Sequence, residues 1–160
     1  MAAQHRTGMI AAAVVTFLAL GGCSSSPKEE LIESADEKCR VIGERFAGDL
    51  AFGESVGKDD EDKLRQRIML VKDLATHVRG LPAPESGKDK LDDWLGRLDK
   101  YAGELQEFET SYRNARRGQD LVLAMQLAIV KEAADAVGPP AKDFGFGACA
   151  QVESWVPFPK

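Results

Sequence analysis

The sequence predicts an all-α protein, an antiparallel four-helix bundle whose C-terminal tail is held against the bundle by a disulfide. Four segments repeat apolar residues at spacings of three and four, the period of one helix face. Short connections that contain glycine and proline separate these segments, and no run alternates strictly as a strand does. Four amphipathic segments with short connections are typical of an antiparallel bundle.

A capping sequence predicts the start of the first helix. Ser26 stands before Pro27, and Glu29 follows three positions after the serine. A serine at the N-cap, a proline at the first helical position and a glutamate that reaches back to the cap amide form a strong start signal. Gly48 and the glycines after it end the helix. Its expected core face consists of Leu31, Ala35, Cys39, Ile42, Phe46 and Leu50.

The second helix is predicted to begin at the acidic residues 59–62, because carboxylates favour the free amides and positive dipole of a helix start. Gly80 and Pro82 end it. Its expected core face consists of Leu64, Ile68, Val71, Ala75 and Val78.

The third helix is predicted to be the longest. Ser86 with Asp89 repeats the capping pattern, and residues 88–117 would reach about 45 Å if unbroken. Its apolar residues keep their spacing without a lapse, as in the seam of a bundle. They are Leu91, Trp94, Leu98, Tyr101, Leu105, Phe108 and Tyr112.

The fourth helix is expected to be the most buried, because residues 121–130 are apolar on nearly all sides. Asp120 is its predicted cap. Ten residues are too few to cross a bilayer, which needs about 20. The sequence Gly138-Pro139-Pro140 is expected to end the helix.

Residues 9–20 form an apolar run whose length suits the core of a signal peptide better than a membrane span. The sequence Leu20-Gly21-Gly22-Cys23 follows and resembles the lipobox of bacterial lipoproteins. This resemblance implies cleavage before Cys23, diacylglycerol on its thiol and a place on the outer face of a cell membrane. The alternatives are a buried N-terminal helix and a membrane anchor that stays in place.

The chain is therefore divided into a cleaved signal peptide (1–22), a lipidated cysteine with a short linker (23–28) and a helical domain with its tail (29–160). Beyond residue 22 the chain has 20 basic and 26 acidic residues, a formal net charge of −6. This balance provides no basic surface for nucleic acid or for anionic lipid headgroups. The expected partners are the membrane, through the lipid on Cys23, and an unidentified envelope protein or lipid.

Once Cys23 is modified, Cys39 and Cys149 remain as a single pair outside the cytoplasm, where disulfides persist. Cys39 faces the core, and Gly145 and Gly147 let the chain turn back onto the bundle. The sequence therefore predicts a disulfide between them. Two inert thiols and a redox pair are the alternatives, although a redox pair is usually adjacent as Cys-x-x-Cys.

The chain as a whole resembles the small two-cysteine helical envelope lipoproteins of actinobacteria. The shared features are the lipobox, the short serine linker, a cysteine in an early helix and the Gly147-Ala148-Cys149-Ala150 ending. The resemblance implies a location and a fold, and it implies no reaction.

No catalytic constellation, metal site or cofactor site is predicted. His77 is the only histidine beyond residue 22, at a helix end where an imidazolium would suit the dipole. One histidine with two bridged cysteines cannot form a usual zinc site. The protein is therefore expected to be no enzyme.

Three functions remain open. The first is a non-catalytic interaction or accessory module of the cell envelope. The second is a carrier of an apolar ligand such as a lipid in a cavity between helices, and the third is an envelope enzyme that uses Glu132 and Asp135. In the tail, Trp155 and Phe158 are candidates for docking in a partner's groove, against the alternative that the tail packs on its own domain.

Overall fold

The computed structural model describes residues 26–52, 59–115 and 120–156. These residues form five helices and two short 3-10 turns, and they contain no strand. In chain order the elements are α1 (Pro27–Ala47), α2 (Asp60–Gly80), α3 (Lys88–Ala115), α4 (Asp120–Asp135), α5 (Gly138–Phe144) and the turns Ala148–Ala150 and Glu153–Trp155. The four long helices pack on one another, and a disulfide links the C-terminal tail to α1, so the predicted fold class is confirmed.

Helices α1 and α2 are antiparallel along their whole contact. Hydrogen bonds join Ser34 to His77 (2.8 Å), Lys38 to Asp73 (2.8 Å), and Arg45 to Gln66 (3.0 Å). Helix α3 packs on both α2 and α4. The C-terminal turns pack on α1, so the tail takes part in the bundle.

The predicted start of α1 is confirmed. The Ser26 Oγ accepts a hydrogen bond from the Glu29 amide (3.2 Å), and the Glu29 carboxylate accepts one from the Ser26 amide (2.7 Å). These bonds satisfy two of the amides that a helix start leaves free. The bond from the Ser26 backbone also lowers the pKa of Glu29 below its usual value.

The predicted start of α2 is confirmed, because Asp60, Glu61 and Asp62 lie in its first turn, whereas the predicted capping of α3 by Ser86 was wrong. Asp59 makes no capping bond with its side chain, and Asp60 is buried instead, where its carboxylate accepts a hydrogen bond from the Tyr112 hydroxyl (3.2 Å). Helix α3 begins directly after Gly87, so Ser86 lies one residue too early to cap it. Gly87 has a φ of 80°, a conformation that glycine adopts without strain.

Every core position predicted for the first three helices is buried. Trp94, Tyr101 and Phe108 of α3 are fully inaccessible to solvent. Large aromatic side chains at these positions fill the interior of the bundle at the density expected of a protein core.

The expectation that α4 would be the most buried helix was wrong. Its first half leaves Leu121, Val122, Met125 and Ile129 exposed at 74%, 50%, 62% and 41% of their surface. Its fully buried residues, Val130, Ala133 and Ala134, lie further along the helix. The apolar pattern predicted the wrong burial because burial depends on which helices lie nearby. Helix α4 packs mainly on α3, and the C-terminal turns pack on α1.

The sequence Gly138-Pro139-Pro140 begins helix α5, whereas it was expected only to end a helix. Proline is tolerated in the first helical turn because the amides there have no partner within the helix. Gly145 then ends α5 with a φ of 115°, and a Cβ atom there would lie 3.4 Å from Cδ1 of Ile32. This turn sends the chain back along α1 toward Cys39.

No helix among the described residues is both long and apolar enough to cross a membrane. Residues 1–25, which include Leu20, Gly21, Gly22 and Cys23, lie outside the described part of the chain, as does Phe158. The signal peptide, the lipidation and the docking role of Phe158 stay predictions.

Candidate functional site

The disulfide between Cys39 and Cys149 joins the middle of α1 to the first C-terminal turn, with 5.0 Å between the Cα atoms. Asp36 lies one helical turn before Cys39 in α1, and its side chain binds the same C-terminal turn that the disulfide holds. Its carboxylate accepts hydrogen bonds from the amides of Gly147 (2.8 Å) and Cys149 (2.9 Å). The pairing of the cysteines could be predicted from the sequence. The role of Asp36 could not, because nothing in the sequence distinguishes it from the other acidic residues of α1.

Arg67 of α2 is a buried cation that binds backbone oxygens. Its guanidinium donates to the carbonyls of Phe46 (2.7 Å), Leu50 (3.1 Å) and Trp155 (3.2 Å). The rings of Phe46 and Phe52 lie 4.3 Å and 4.7 Å from its central carbon. Burial lowers the pKa of Arg67 to about 10, so the group is charged at neutral pH. A cation here suits the negative end of the α1 dipole.

Trp155 is fully buried in its own domain, so the expectation that it could dock in a partner's groove was wrong. Its ring packs edge-on against Phe46, with centroids 5.9 Å apart, and lies beside Tyr101 at 5.7 Å. The Tyr101 hydroxyl donates a hydrogen bond to the Trp155 carbonyl, and burial raises the pKa of that hydroxyl. The described part of the tail is therefore structural.

Among the residues that the structure describes, Ser34 and His77 form a contact that resembles part of a hydrolase site. Their Oγ and Nε2 atoms share a hydrogen bond of 2.8 Å, and both residues are half-buried. A serine nucleophile also needs amide donors for the developing oxyanion. Ser34 lies in the middle of α1, where the surrounding amides are used by the helix itself. The pair therefore joins α1 to α2, a contact that sequence reasoning missed.

An open groove of about 770 Å³ runs beside this pair, along α1. It is lined by Glu30, Glu33, Ser34, Asp36, Glu37, Arg40 and Ala148. Arg40 donates to Glu37 and Glu44 at 2.6 Å, which lowers the pKa of Glu37. Within the described ranges, no group of three or more histidine, cysteine or acidic residues is placed to hold a metal ion.

The carboxylates proposed for an enzyme, Glu132 and Asp135, are both exposed on α4. Burial is what shifts the pKa values of a catalytic pair of carboxylates, and these two carboxylates are solvated. The structure therefore does not support an enzyme that uses them. The carrier hypothesis requires space beside α3. The inward side chains of Trp94, Tyr101 and Phe108 occupy that region at full burial.

The exposed apolar side chains of α4 form the most distinctive surface of the described residues. We call Leu121, Val122, Met125 and Ile129 the α4 face. The residues between them, Ala124 and Ala128, are also exposed, and residues 121–130 contain no charged side chain. A contiguous cluster of exposed apolar side chains marks a site of interaction more often than an isolated exposed leucine does.

The α4 face lies toward the end of the bundle that is opposite the start of α1. Lys28, in the first turn of α1, lies over the ring of Phe144 at the end of α5, 4.7 Å from its centroid. Helix α5 follows directly on the C-terminal end of α4. Leu121 lies at the other end of α4, roughly 20 Å away along the helix axis.

No protein-family model, curated protein or solved structure matches this chain.

Proposed function

We propose that this protein is a lipid-anchored domain on the outer face of a bacterial cell membrane, where it acts as a non-catalytic interaction module of the envelope. The proposed location rests on the resemblance of Leu20-Gly21-Gly22-Cys23 to a lipobox. The proposed role rests on one observation, the exposed and uncharged α4 face on an otherwise acidic domain.

The α4 face would bind a partner that presents an uncharged apolar helix. Full burial of a leucine, isoleucine, valine or methionine side chain contributes about 1.5–3 kcal/mol, and the side chains of this face keep 41–74% of their surface for such burial. Leu121, Met125 and Ile129 recur every four residues, the spacing at which one helix presents ridges to another. A helix of the partner is therefore the element that fits.

The rest of the domain provides a rigid support for this face. Helix α4 packs on α3, whose Trp94, Tyr101 and Phe108 are fully buried. A face on a rigid helix loses little conformational entropy when a partner binds, so more of the apolar burial contributes to affinity.

Site-specific photo-crosslinking in intact cells tests the interaction role. A photoreactive residue at Met125 should capture a protein, because this side chain points into solvent from the centre of the α4 face. The matched control places the same residue at Lys131, an exposed position on the same helix. Equal capture at both positions, or none at Met125, would contradict the proposed role of α4.

Cell fractionation tests the location separately. Changing Cys23 to Ser should leave the precursor uncleaved before residue 23 and without lipid. A Cys23→Ser protein that is still cleaved there and still needs detergent for extraction would contradict the lipoprotein assignment.

A further inference from the structure

We propose that Cys39 is the sulfur at which the Cys39–Cys149 disulfide exchanges with an external thiol or disulfide, and that Asp36 is the positioning residue that keeps Cys149 ready to close the bond again. The ligand class is a small molecule that carries a thiol or a disulfide. The site lies apart from the α4 face and does not depend on the proposed lipid anchor.

An open groove of about 360 Å³ between α1 and the C-terminal turns gives access to Cys39, which is one of the residues that line it. Cys39 keeps 2% of its surface exposed, whereas Cys149 keeps none. The sulfur of Cys149 contacts the backbone oxygen of Ala35 instead (3.4 Å). An external molecule in this groove therefore meets the Cys39 side of the disulfide first.

Gly43 leaves the groove open beside Cys39. It lines the groove one helical turn after Cys39. Side chains of a helix lean toward its N-terminus, so a side chain at position 43 would cover the turn that contains Cys39. A Cβ atom at Gly43 would lie 3.6 Å from the Ser154 Oγ, an ordinary contact, so packing does not require a glycine here. Glycine also weakens a helix relative to alanine, and its effect at this position is access to the sulfur.

The proposed reaction is thiol–disulfide exchange, in which a thiolate attacks a disulfide sulfur and a mixed disulfide forms. A small thiolate in the groove forms a bond to the Cys39 sulfur, and the Cys149 sulfur leaves as a thiolate. Closure is the reverse, because the Cys149 thiolate attacks Cys39 and releases the small thiolate. When the bond is first made, a small disulfide is the oxidant. It takes two electrons and the two cysteine protons and leaves as two thiol molecules.

Asp36 holds the turn of Cys149 without help from the disulfide. Its carboxylate accepts hydrogen bonds from the amides of Gly147 (2.8 Å) and Cys149 (2.9 Å). Just before this turn, the ring of Phe146 packs on Trp94, with centroids 4.5 Å apart. Attack on a mixed disulfide therefore takes place between groups that the fold already holds together, which favours closure over encounter with a second external thiol.

Trapping of the mixed disulfide identifies the reactive sulfur. The full chain with Cys23→Ser, which leaves two cysteines, is exposed in its folded state to excess reduced glutathione, quenched with acid and mapped by peptide mass. We expect several-fold more glutathione on Cys39 than on Cys149. A majority on Cys149, or equal amounts on both, would overturn the proposal. So would the absence of any adduct both in this protein and in its Asp36→Asn variant.

A pair of variants tests the positioning role of Asp36 in the same background. Asp36→Asn should increase the trapped mixed disulfide several-fold, because an amide oxygen accepts the two hydrogen bonds more weakly than a carboxylate and closure slows. Glu33→Gln is the matched control, since it removes one charge from an exposed position of the same helix. Equal trapping in the two variants would reject Asp36 as the positioning residue, even if Asp36→Asn lowers stability.

A second pair tests the route through the groove. Gly43→Leu should slow formation of the mixed disulfide several-fold, and Gly43→Ala, whose Cβ atom fits without displacing Ser154, should stay close to the parent rate. Thermal unfolding curves of the oxidised variants show that each is folded under the conditions of the exchange. An unchanged rate in a folded Gly43→Leu protein would overturn this route.

Discussion

Arg67 in α2 donates a hydrogen bond to the backbone oxygen of Trp155, 88 residues further along the chain (3.2 Å). The same guanidinium holds the carbonyl of Phe46 in the last turn of α1 (2.7 Å). One side chain thus connects three parts of the chain that are distant in sequence. The tail is therefore part of the folded core.

Replacing Arg67 with methionine should destabilise the domain by about 3 kcal/mol or more, because the carbonyl oxygens of Phe46 and Leu50 lose the guanidinium donor and that of Trp155 keeps only the Tyr101 hydroxyl. Arg67→Lys should be intermediate, since an ammonium keeps the charge and loses the planar fork that reaches several oxygens at once. Urea unfolding followed by tryptophan fluorescence measures both. A methionine variant as stable as the wild type would show that these bonds add nothing to the fold.

Reduction of the disulfide should lower the free energy of unfolding by roughly 4–5 kcal/mol on the chain-entropy model, because the bond closes a loop of about 110 residues. The double variant Cys39→Ala, Cys149→Ala should be destabilised in a similar way and should no longer respond to reductant. An unchanged urea midpoint of the reduced wild type would reject a stabilising role for the bond.

Trp155→Ala should cost about 3–5 kcal/mol, as expected for a large buried aromatic side chain. Glu153→Ala, two residues earlier and exposed, is the control and should change stability by less than about 0.5 kcal/mol. Thermal unfolding compares the two. If Trp155→Ala behaves like the control, the tail is not packed in solution as it is in the structure.

Acid should destabilise the domain partly through Glu29. Its pKa in the folded state lies below the usual 4.5 because its carboxylate accepts a hydrogen bond from the Ser26 backbone. A carboxyl group with a lowered pKa stabilises the fold at pH values above its unfolded pKa, and this contribution is lost as the pH falls through the folded pKa. Glu29→Gln should therefore flatten the loss of stability as the pH falls below about 4.5, the usual pKa of this carboxyl group. Identical pH profiles for variant and wild type would exclude this contribution.

Periodicity was sufficient to predict the helices and core of α1, α2 and α3, because these helices have one apolar side and one charged side. It failed for α4, where residues 121–130 are apolar on nearly all sides and the pattern contains little information about which side meets a neighbour. The functional candidate of this protein lies at the place where the local pattern and the tertiary packing disagree.

The contacts of the tail show a second limit of sequence reasoning. Cys39 and Cys149 could be paired because only one pair remained after Cys23 was set aside. Asp36 and Arg67 could not be recognised, since a charged residue on a core face is usually assigned to the surface. Their role depends on backbone amides and carbonyls, which the side-chain sequence does not reveal.

The intact mass of the protein extracted from membranes tests the proposed cleavage and lipid anchor together. We expect a mature chain that begins at Cys23 and carries the added mass of diacylglycerol, with the Cys39–Cys149 disulfide intact. A chain that retains residues 1–22, or one that begins at Cys23 without lipid, would contradict it.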